Sequence, residues 1–314
     1  MSLAVPPSRS VTVRVPAKVN LELIVGPLRP DGFHDLATVY QAVSLYDDVT
    51  VRPADDWSVT VSGAEAHLVP DGGDNLALRA ARRLAEAAGI EEPVGIAIHK
   101  EIPVAGGMAG GSADAAGALL ACDALWGLGT PRHALEQLAG EIGSDVPFAL
   151  AGGTAVGSGR GEQLAPVLAR GSYQWVFAFS DNGLSTPRVY AECDRLREGR
   201  DVPPPQPTAA MMTALRSGDA AALGKALVND LQPAALSLQP QLREVLELGS
   251  ECGALGGLVS GSGPTVAFIV PDAEVALDLA VALAASGLAA GVKRATGPVH
   301  GAQVVPGPSV TRVD

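Results

Sequence analysis

Residues 103–118, PVAGGMAGGSADAAGA, carry the strongest chemical signal in the chain. Glycines stand at 106, 107, 110 and 111, Ser112 follows at once, and an alanine-rich run continues through Leu119, Leu120, Leu125 and Trp126. That run predicts a helix, because Ala and Leu are good helix formers and the apolar residues recur at three and four. Glycines ahead of a helix start admit φ > 0 and let backbone N–H groups approach a ligand. The helix start adds unpaired N–H groups and about half a unit of positive charge. Together these predict an anion site of the kind that holds phosphate. A flexible turn capped by Ser112 is the plainer alternative. The spacing is neither standard nucleotide fingerprint: no lysine follows Gly111, and Asp123 comes too early for a ribose-binding acid.

Three further stretches combine residue types that folding alone does not require. PAKVNLEL at 16–23 sets Lys18 and Asn20 at the start of an apolar strand, with an exposed edge-strand lysine as the alternative. RPDGFH at 29–34 pairs turn chemistry with an aromatic, Phe33, and a donor, His34. A hairpin tip would explain the same residues. IGSDVPF at 142–148 surrounds Asp145 with small and apolar residues, which points to a carboxylate beside a buried place, or to a helix cap with Pro147 in the first turn. Asn75 reads as the N-cap of a helix over 76–88 that ends at Gly89, and Lys100 directly precedes the glycine stretch.

The elements that must position these residues divide the chain. Strands are predicted over 11–15, 21–25, 37–45, 48–52, 57–61, 94–99 and 152–157, with helices over 76–88, from 112 onward and over 131–139. Composition shifts after about 165. A strand over 173–179 is followed by a helix opened by Ser185, Thr186 and Pro187, a proline-rich connector over 202–207 and helices over 208–216, 219–227 and 239–250. SGSGPT at 260–265 leads into a strand, VAFIV, and a last Ala/Leu helix. The pattern is α+β in two domains, 10–165 and 166–302, with a loose tail after 302.

With 314 residues, nearly half of them apolar, the chain can bury a substantial core. Its net charge of −12 argues against nucleic acid and anionic membranes as partners, though a phosphorylated small molecule needs only local donors. Lysine occurs only at 18, 100, 225 and 293, and two of these fall in or beside the stretches above. Cys122, Cys193 and Cys252 form neither a metal spacing nor an even disulfide set, so a reducing, cytoplasmic setting is expected. Residues 1–10 lack the apolar core of a leader, and the apolar run at 275–292 reads as a packed helix. Composition leaves the oligomeric state open.

Taken together, PAKVNLEL, RPDGFH, PVAGGMAGGSADAA, IGSDVPF and SGSGPT resemble the motifs of the GHMP kinase superfamily, over about residues 11–297. The resemblance implies a ribosomal-protein-S5-like N-terminal domain and a ferredoxin-like C-terminal domain. It implies ATP lying over Pro103, Val104, Ala105, Gly106, Gly107, Met108, Ala109, Gly110, Gly111, Ser112 and Ala113, with Asn75 and Lys100 beside the nucleotide and Ser112 near Mg²⁺. Lys18 and Asp145 match the catalytic pair. A carboxylate can take the proton of an attacking hydroxyl, and a nearby ammonium keeps it ionised and balances charge on the reacting oxygens. Asn20, Phe33, His34, Asp145, Thr186, Pro187 and Tyr190 fall on the substrate side, with Phe33 and Tyr190 stacking a cytosine ring. Phe33 stands where the family commonly has tyrosine, and Asp114 where it often has asparagine. The activity implied is phosphorylation of the 2-hydroxyl of 4-diphosphocytidyl-2-C-methyl-D-erythritol in non-mevalonate isoprenoid synthesis. The alternatives are a superfamily kinase for mevalonate, homoserine or a sugar, and a non-catalytic nucleotide sensor.

Overall fold

Every odd position from Val11 to Val25 is apolar, and this period of two runs straight through Pro16. The computed structural model, which describes residues 9–70, 72–104 and 106–306, accordingly holds one 18-residue strand, β1 (Val11–Leu28), in place of two short ones. Pro16 is tolerated because the register against β2 (His34–Pro53) shifts between Pro16 and Ala17. β2 is likewise a single strand across both predicted segments, 37–45 and 48–52. A second shift, between Asn20 and Glu22, changes what β1 packs against. Val13, Val15, Ala17, Val19 and Leu21 belong to the main core, whereas Leu23 and Val25 join Val189, Cys193 and Leu231 in a separate cluster.

The first half continues with β3 (Ser58–Ser62), α1 (Leu76–Ala88), β4 (Val94–His99), α2 (Gly110–Trp126), α3 (Arg132–Ile142), α4 (Val146–Ala151), β5 (Thr154–Ser158) and β6 (Gln163–Pro166). The second half runs through β7 (Tyr173–Phe179), α5 (Thr186–Leu196), α6 (Ala209–Ser217), α7 (Ala220–Ala226), β8 (Val228–Asn229), α8 (Gln232–Leu238) and α9 (Leu242–Glu251). It ends with β9 (Gly256–Val259), β10 (Val266–Val270), α10 (Ala273–Ser286), β11 (Gly291–Gly297) and β12 (Gln303–Val305). The elements build two sheets. One follows β12-β1-β2-β4-β3, with β5 and β6 branching from β2. The other has the order β11-β7-β10-β9, which is 4-1-3-2 in chain order, the ferredoxin-like arrangement.

The two sheets share a core. Tyr173, Trp175, Phe177 and Phe179 alternate along β7 toward the main core, while Val176 and Ala178 face a second cluster under α9 and α10. The buried Trp175 Nε1–H donates to Gln41 Oε1 on β2 at 3.0 Å, tying one sheet to the other. α2 is apolar nearly all round and is buried as such a helix must be. Two late segments return to β1: β8 pairs parallel at Glu22 and Leu23, and β12 pairs antiparallel at 12–14. The tail expected to be loose after 302 is therefore paired over 303–305, and its last part, 307–314, lies outside the described residues. Among the described residues, no helix is long and apolar enough to cross a membrane.

Candidate active site

The glycine stretch enters α2 earlier than its sequence indicates. Ala109 is the N-cap, with φ of 60° and no side-chain cap bond, so Gly110, Gly111 and Ser112 already form the first helical turn. Ser112 is therefore not a cap. The first backbone bond of the turn runs from Ala113 N–H to the Ala109 carbonyl at 2.9 Å, which leaves the N–H groups of 110–112 as the helix's free donors. Gly106, Gly107, Gly110, Gly111 and Ser112 line an open cleft of about 900 Å³. The glycine that the fold requires is Gly107. Its φ is +77°, and a Cβ there would collide with the backbone carbonyl of Ser260. Residues 260–265, SGSGPT, thus serve as the buttress of the glycine stretch: Ser260 Oγ–H donates to the Gly107 carbonyl at 3.2 Å, and Thr265 N–H to that of Gly106 at 3.4 Å.

Lys18 lies mid-strand on β1, 6 % exposed, which removes the edge-strand explanation. Its Nζ donates to Asn20 Oδ1 at 2.6 Å and to the Gly107 carbonyl at 2.9 Å, and stands 3.9 Å from Asp145 Oδ2. Asn20 Nδ2 in turn donates to Thr38 Oγ1 at 2.8 Å, which fixes the amide so that its oxygen faces the lysine. Burial lowers the Lys18 pKa, and Asp145 opposes that shift. Asp145 sits at the N-cap position of α4, but its side chain makes no cap bond. It accepts instead from the Tyr40 hydroxyl at 3.0 Å. Tyr40 is buried and stacks on Phe148 with ring centroids 4.8 Å apart, so the carboxylate hangs from a fixed donor.

On the far side of the cleft, His34 hydrogen-bonds Asp194 at 2.9 Å and lies against Tyr190 with centroids 5.2 Å apart. Burial raises the Tyr190 pKa, with Asp145 adding to it. Phe33 is half exposed, and the Arg160 guanidinium lies 5.4 Å from its ring centroid. Thr186 and Pro187 open α5 at the cleft wall, where Thr186 shares a hydrogen bond with Ser262 at 2.9 Å.

Other predicted residues stand behind this surface. Asn75 is the N-cap of α1, accepting from Ala77 and Leu78 N–H at 2.9 and 3.3 Å; its neighbour Leu76 reaches the cleft and Asn75 does not. Pro103, Val104, Met108 and Ala113 likewise do not line it. Ala105 lies outside the described residues. Lys100 is buried beneath the turn, donating to Asp47 Oδ2 at 2.6 Å and to Asp114 Oδ2 at 2.8 Å.

Two family descriptions match the chain: the GHMP kinases N terminal domain over 75–153 and the GHMP kinases C terminal domain over 211–288. A 4-diphosphocytidyl-2-C-methyl-D-erythritol kinase of Mycolicibacterium smegmatis is 58 % identical over 304 residues, spanning 96 % of this chain and 94 % of the relative. One of the same name from Streptomyces coelicolor is 57 % identical over 297 residues, spanning 94 % and 99 %. The chain belongs to the GHMP kinase family. A crystal structure of a 4-(cytidine 5'-diphospho)-2C-methyl-D-erythritol kinase superposes with a TM-score of 0.75 at 35 % identity, over 91 % of this chain and 99 % of that one.

Within this GHMP kinase, sequence reasoning missed the residues that hold others in place. Tyr40 reads as one more core aromatic in the apolar run of β2, and only the fold brings it to Asp145, 105 positions away. Asp47 is equally silent in sequence. Its Oδ1 accepts from Glu101 and Ile102 N–H at 2.7 and 2.8 Å, so it braces the approach to the glycine turn as well as Lys100. Asp114 Oδ1 is buried without a partner. Burial, outweighing the attraction of Lys100, pushes the Asp114 carboxyl up to about 7, with Asp47 adding to the rise. Burial alone would lower Lys100, but the two carboxylates together raise it.

The Asp114 shift has a measurable consequence. The folded protein keeps this proton up to about pH 7, whereas an unfolded aspartate releases it near pH 4. Its contribution to stability is therefore full below about pH 4 and is lost as pH rises toward about 7. Asp114→Asn has no such proton. The melting temperature of the parent relative to this variant is expected to fall between pH 4.5 and 7 and to level off above that. A pH-independent difference would contradict the assignment.

Proposed function

We infer that this protein is an ATP-dependent kinase that phosphorylates the 2-hydroxyl of 4-diphosphocytidyl-2-C-methyl-D-erythritol, a step of non-mevalonate isoprenoid synthesis. The observation that carries this reading is a single cleft that joins the free N–H groups of α2, the Lys18–Asp145 pair and an aromatic wall. The free N–H groups and the partial positive charge of α2 suit the ATP phosphates. Asp145, near the start of α4, takes the proton of the attacking hydroxyl as its oxygen bonds the γ-phosphorus and the bond to ADP breaks. Lys18 counters charge on the transferred oxygens and on Asp145. His34 and Tyr190, with Phe33 at the rim, form the surface against which a cytosine ring can stack. Asn20 fixes the lysine, and Thr186 and Pro187 form the adjoining wall.

Mg²⁺ fits the same surface. Among the described residues no cluster of three His, Cys, Asp or Glu side chains could hold a metal, so a bound ion would draw most of its oxygens from phosphates and water. We assign the Ser112 hydroxyl, half-buried at the cleft, as its protein contact. When bound, the ion neutralises charge on the phosphate oxygens. Lys100 and Asn75 act on the nucleotide by holding the floor of the turn and the start of α1. We divide the chain functionally at about 165, with residues 10–165 carrying the phosphate turn and the catalytic pair and 166–302 closing the cleft. Free Cys122, Cys193 and Cys252, the first two buried, accord with a cytoplasmic setting.

The test is ATP consumption against a panel of the cytidyl alcohol, mevalonate, homoserine and galactose. Turnover with the cytidyl alcohol alone is expected. Preference for another alcohol would move the protein to a different branch of the family, and no turnover with any would favour a nucleotide sensor.

A further inference from the structure

Lys18 and Arg160 are the only Lys or Arg side chains among the described residues lining the cleft. Lys18 is committed to Asn20, Gly107 and Asp145. Arg160 is different: it is half-buried, its guanidinium has no carboxylate within ion-pair distance among the described residues, and it rests over the Phe33 ring. In a chain with a net charge of −12, an unpaired guanidinium held inside a cleft calls for an anion from outside. Its backbone is fixed. Arg160 N–H donates to Glu162 Oε2 at 2.7 Å, Gly161 N–H donates to the Ser158 carbonyl at 3.0 Å, and Leu36 N–H donates to the Gly159 carbonyl at 2.7 Å. Gly161, with φ of +106°, packs so tightly on Tyr40 that a Cβ would strike the very hydroxyl that holds Asp145. Arg160 is thus flanked by the Phe33 ring on one side and, one residue on, by the Tyr40–Asp145 pair.

A ligand with a ring at Phe33 and a hydroxyl at Asp145 must run past this guanidinium. In the substrate of the proposed function, which this inference rests on, the segment between ring and alcohol is a diphosphate. We propose that Arg160 is a specificity-determining residue that binds the substrate's diphosphate, with Phe33 holding the guanidinium plane in place. Planar, bidentate donation is what guanidinium offers phosphate oxygens, and stacking leaves its edges free to give it.

The shared chemistry is a phosphate anion, which ATP could also supply, so the test separates the two. Cytidine and cytidine 5'-diphosphate are titrated into the parent, Arg160→Gln and Arg160→Lys, with Mg²⁺ and a saturating non-hydrolysable ATP analogue filling the ATP side. Affinity for the ATP analogue is measured separately and reports on the fold. Loss of a charge-assisted contact predicts roughly a 10- to 150-fold weaker binding of cytidine 5'-diphosphate by Arg160→Gln. Cytidine and the ATP analogue are expected to bind as in the parent, and Arg160→Lys to recover part of the loss. Equal losses for cytidine and its diphosphate would reduce Arg160 to packing under Phe33 and overturn the proposal. A loss confined to the ATP analogue would also overturn it, giving the guanidinium to the γ-phosphate. A parent that turns over the cytidyl alcohol while Arg160→Gln binds the diphosphate normally sinks this subsite alone. A parent that neither binds cytidine 5'-diphosphate nor phosphorylates the alcohol sinks the functional reading with it.

Discussion

Asp145→Asn is expected to turn over at least about a hundredfold more slowly than the parent while binding ATP normally, because a general base typically supplies about 10²–10⁴ in rate. The amide oxygen can still accept from Tyr40, so the side chain should stay in place. What it cannot do is take a proton from the hydroxyl. The change also removes the group that opposes burial of Lys18, so the lysine pKa should fall further. Stability separates this account from a structural one. Asp145 makes no cap bond to α4, so no cap is lost in the variant. A folded protein with depressed kcat and parental ATP affinity is the expected outcome. Parental kcat would remove Asp145 from the chemistry. Lys18→Met should slow turnover as well, and the double variant should lose less than the product of the single losses, since paired groups act as a unit.

Gly107→Ala is expected to do the most structural damage of any change in the glycine stretch. The new Cβ meets a backbone carbonyl, that of Ser260, and it is asked to hold φ near +77°. Strain at such a position costs about 1–3 kcal/mol, and overpacking about 1–3 kcal/mol more. With roughly 2–4 °C lost per kcal/mol in a protein of this size class, the melting temperature should drop by about 5 °C or more. Function should suffer with it. The 260–263 turn that must move also abuts Lys18: a Cβ on Gly261 would stand 3.3 Å from both Lys18 Nζ and Asn20 Oδ1. Gly111→Ala is the contrasting variant. Gly111 has no positive φ, and its Cβ would meet only the tip of Leu76 at 3.3 Å, so the fold should survive. Equal melting temperatures for the two variants would refute this division of roles.

The residues assigned to the chemistry are more legible in the sequence than those that support them. Lys18 and Asn20 stood out because an apolar strand has no folding use for them, and Asp145 because small residues surround it. The glycine stretch predicts an anion site through local physics alone. It did not disclose which glycine is indispensable, because Gly107 is constrained by Ser260, 153 positions on. Tyr40 was hidden for the same reason: nothing near it in sequence distinguishes a phenol aimed at a carboxylate from one buried in a core. The resemblance puts Lys100 beside the nucleotide, whereas its two carboxylate partners come from β2 and α2, which a local reading has no means to join. The sequence predicts strand breaks at 16–20 and 46–47, but the unbroken period of two is the stronger signal and both strands run through. Phe33, His34 and Tyr190 all line the cleft, where His34 lies against Tyr190 and the Arg160 guanidinium lies over Phe33, contacts that no local reading of the sequence joins.

The central claim is that this cleft delivers phosphate to the 2-hydroxyl of the cytidyl alcohol. Its most direct measurement is the phosphorus NMR spectrum of the product formed from that alcohol, ATP and Mg²⁺. The 2-carbon bears a methyl group and no hydrogen. A phosphate placed there should give a new monoester signal without three-bond coupling to hydrogen, appearing in step with ADP. A monoester signal split by carbinol hydrogens would put the phosphate on another oxygen, and ADP formed with no monoester would mean transfer to water. Either result would contradict the assignment of Asp145 and Lys18 to a bound 2-hydroxyl.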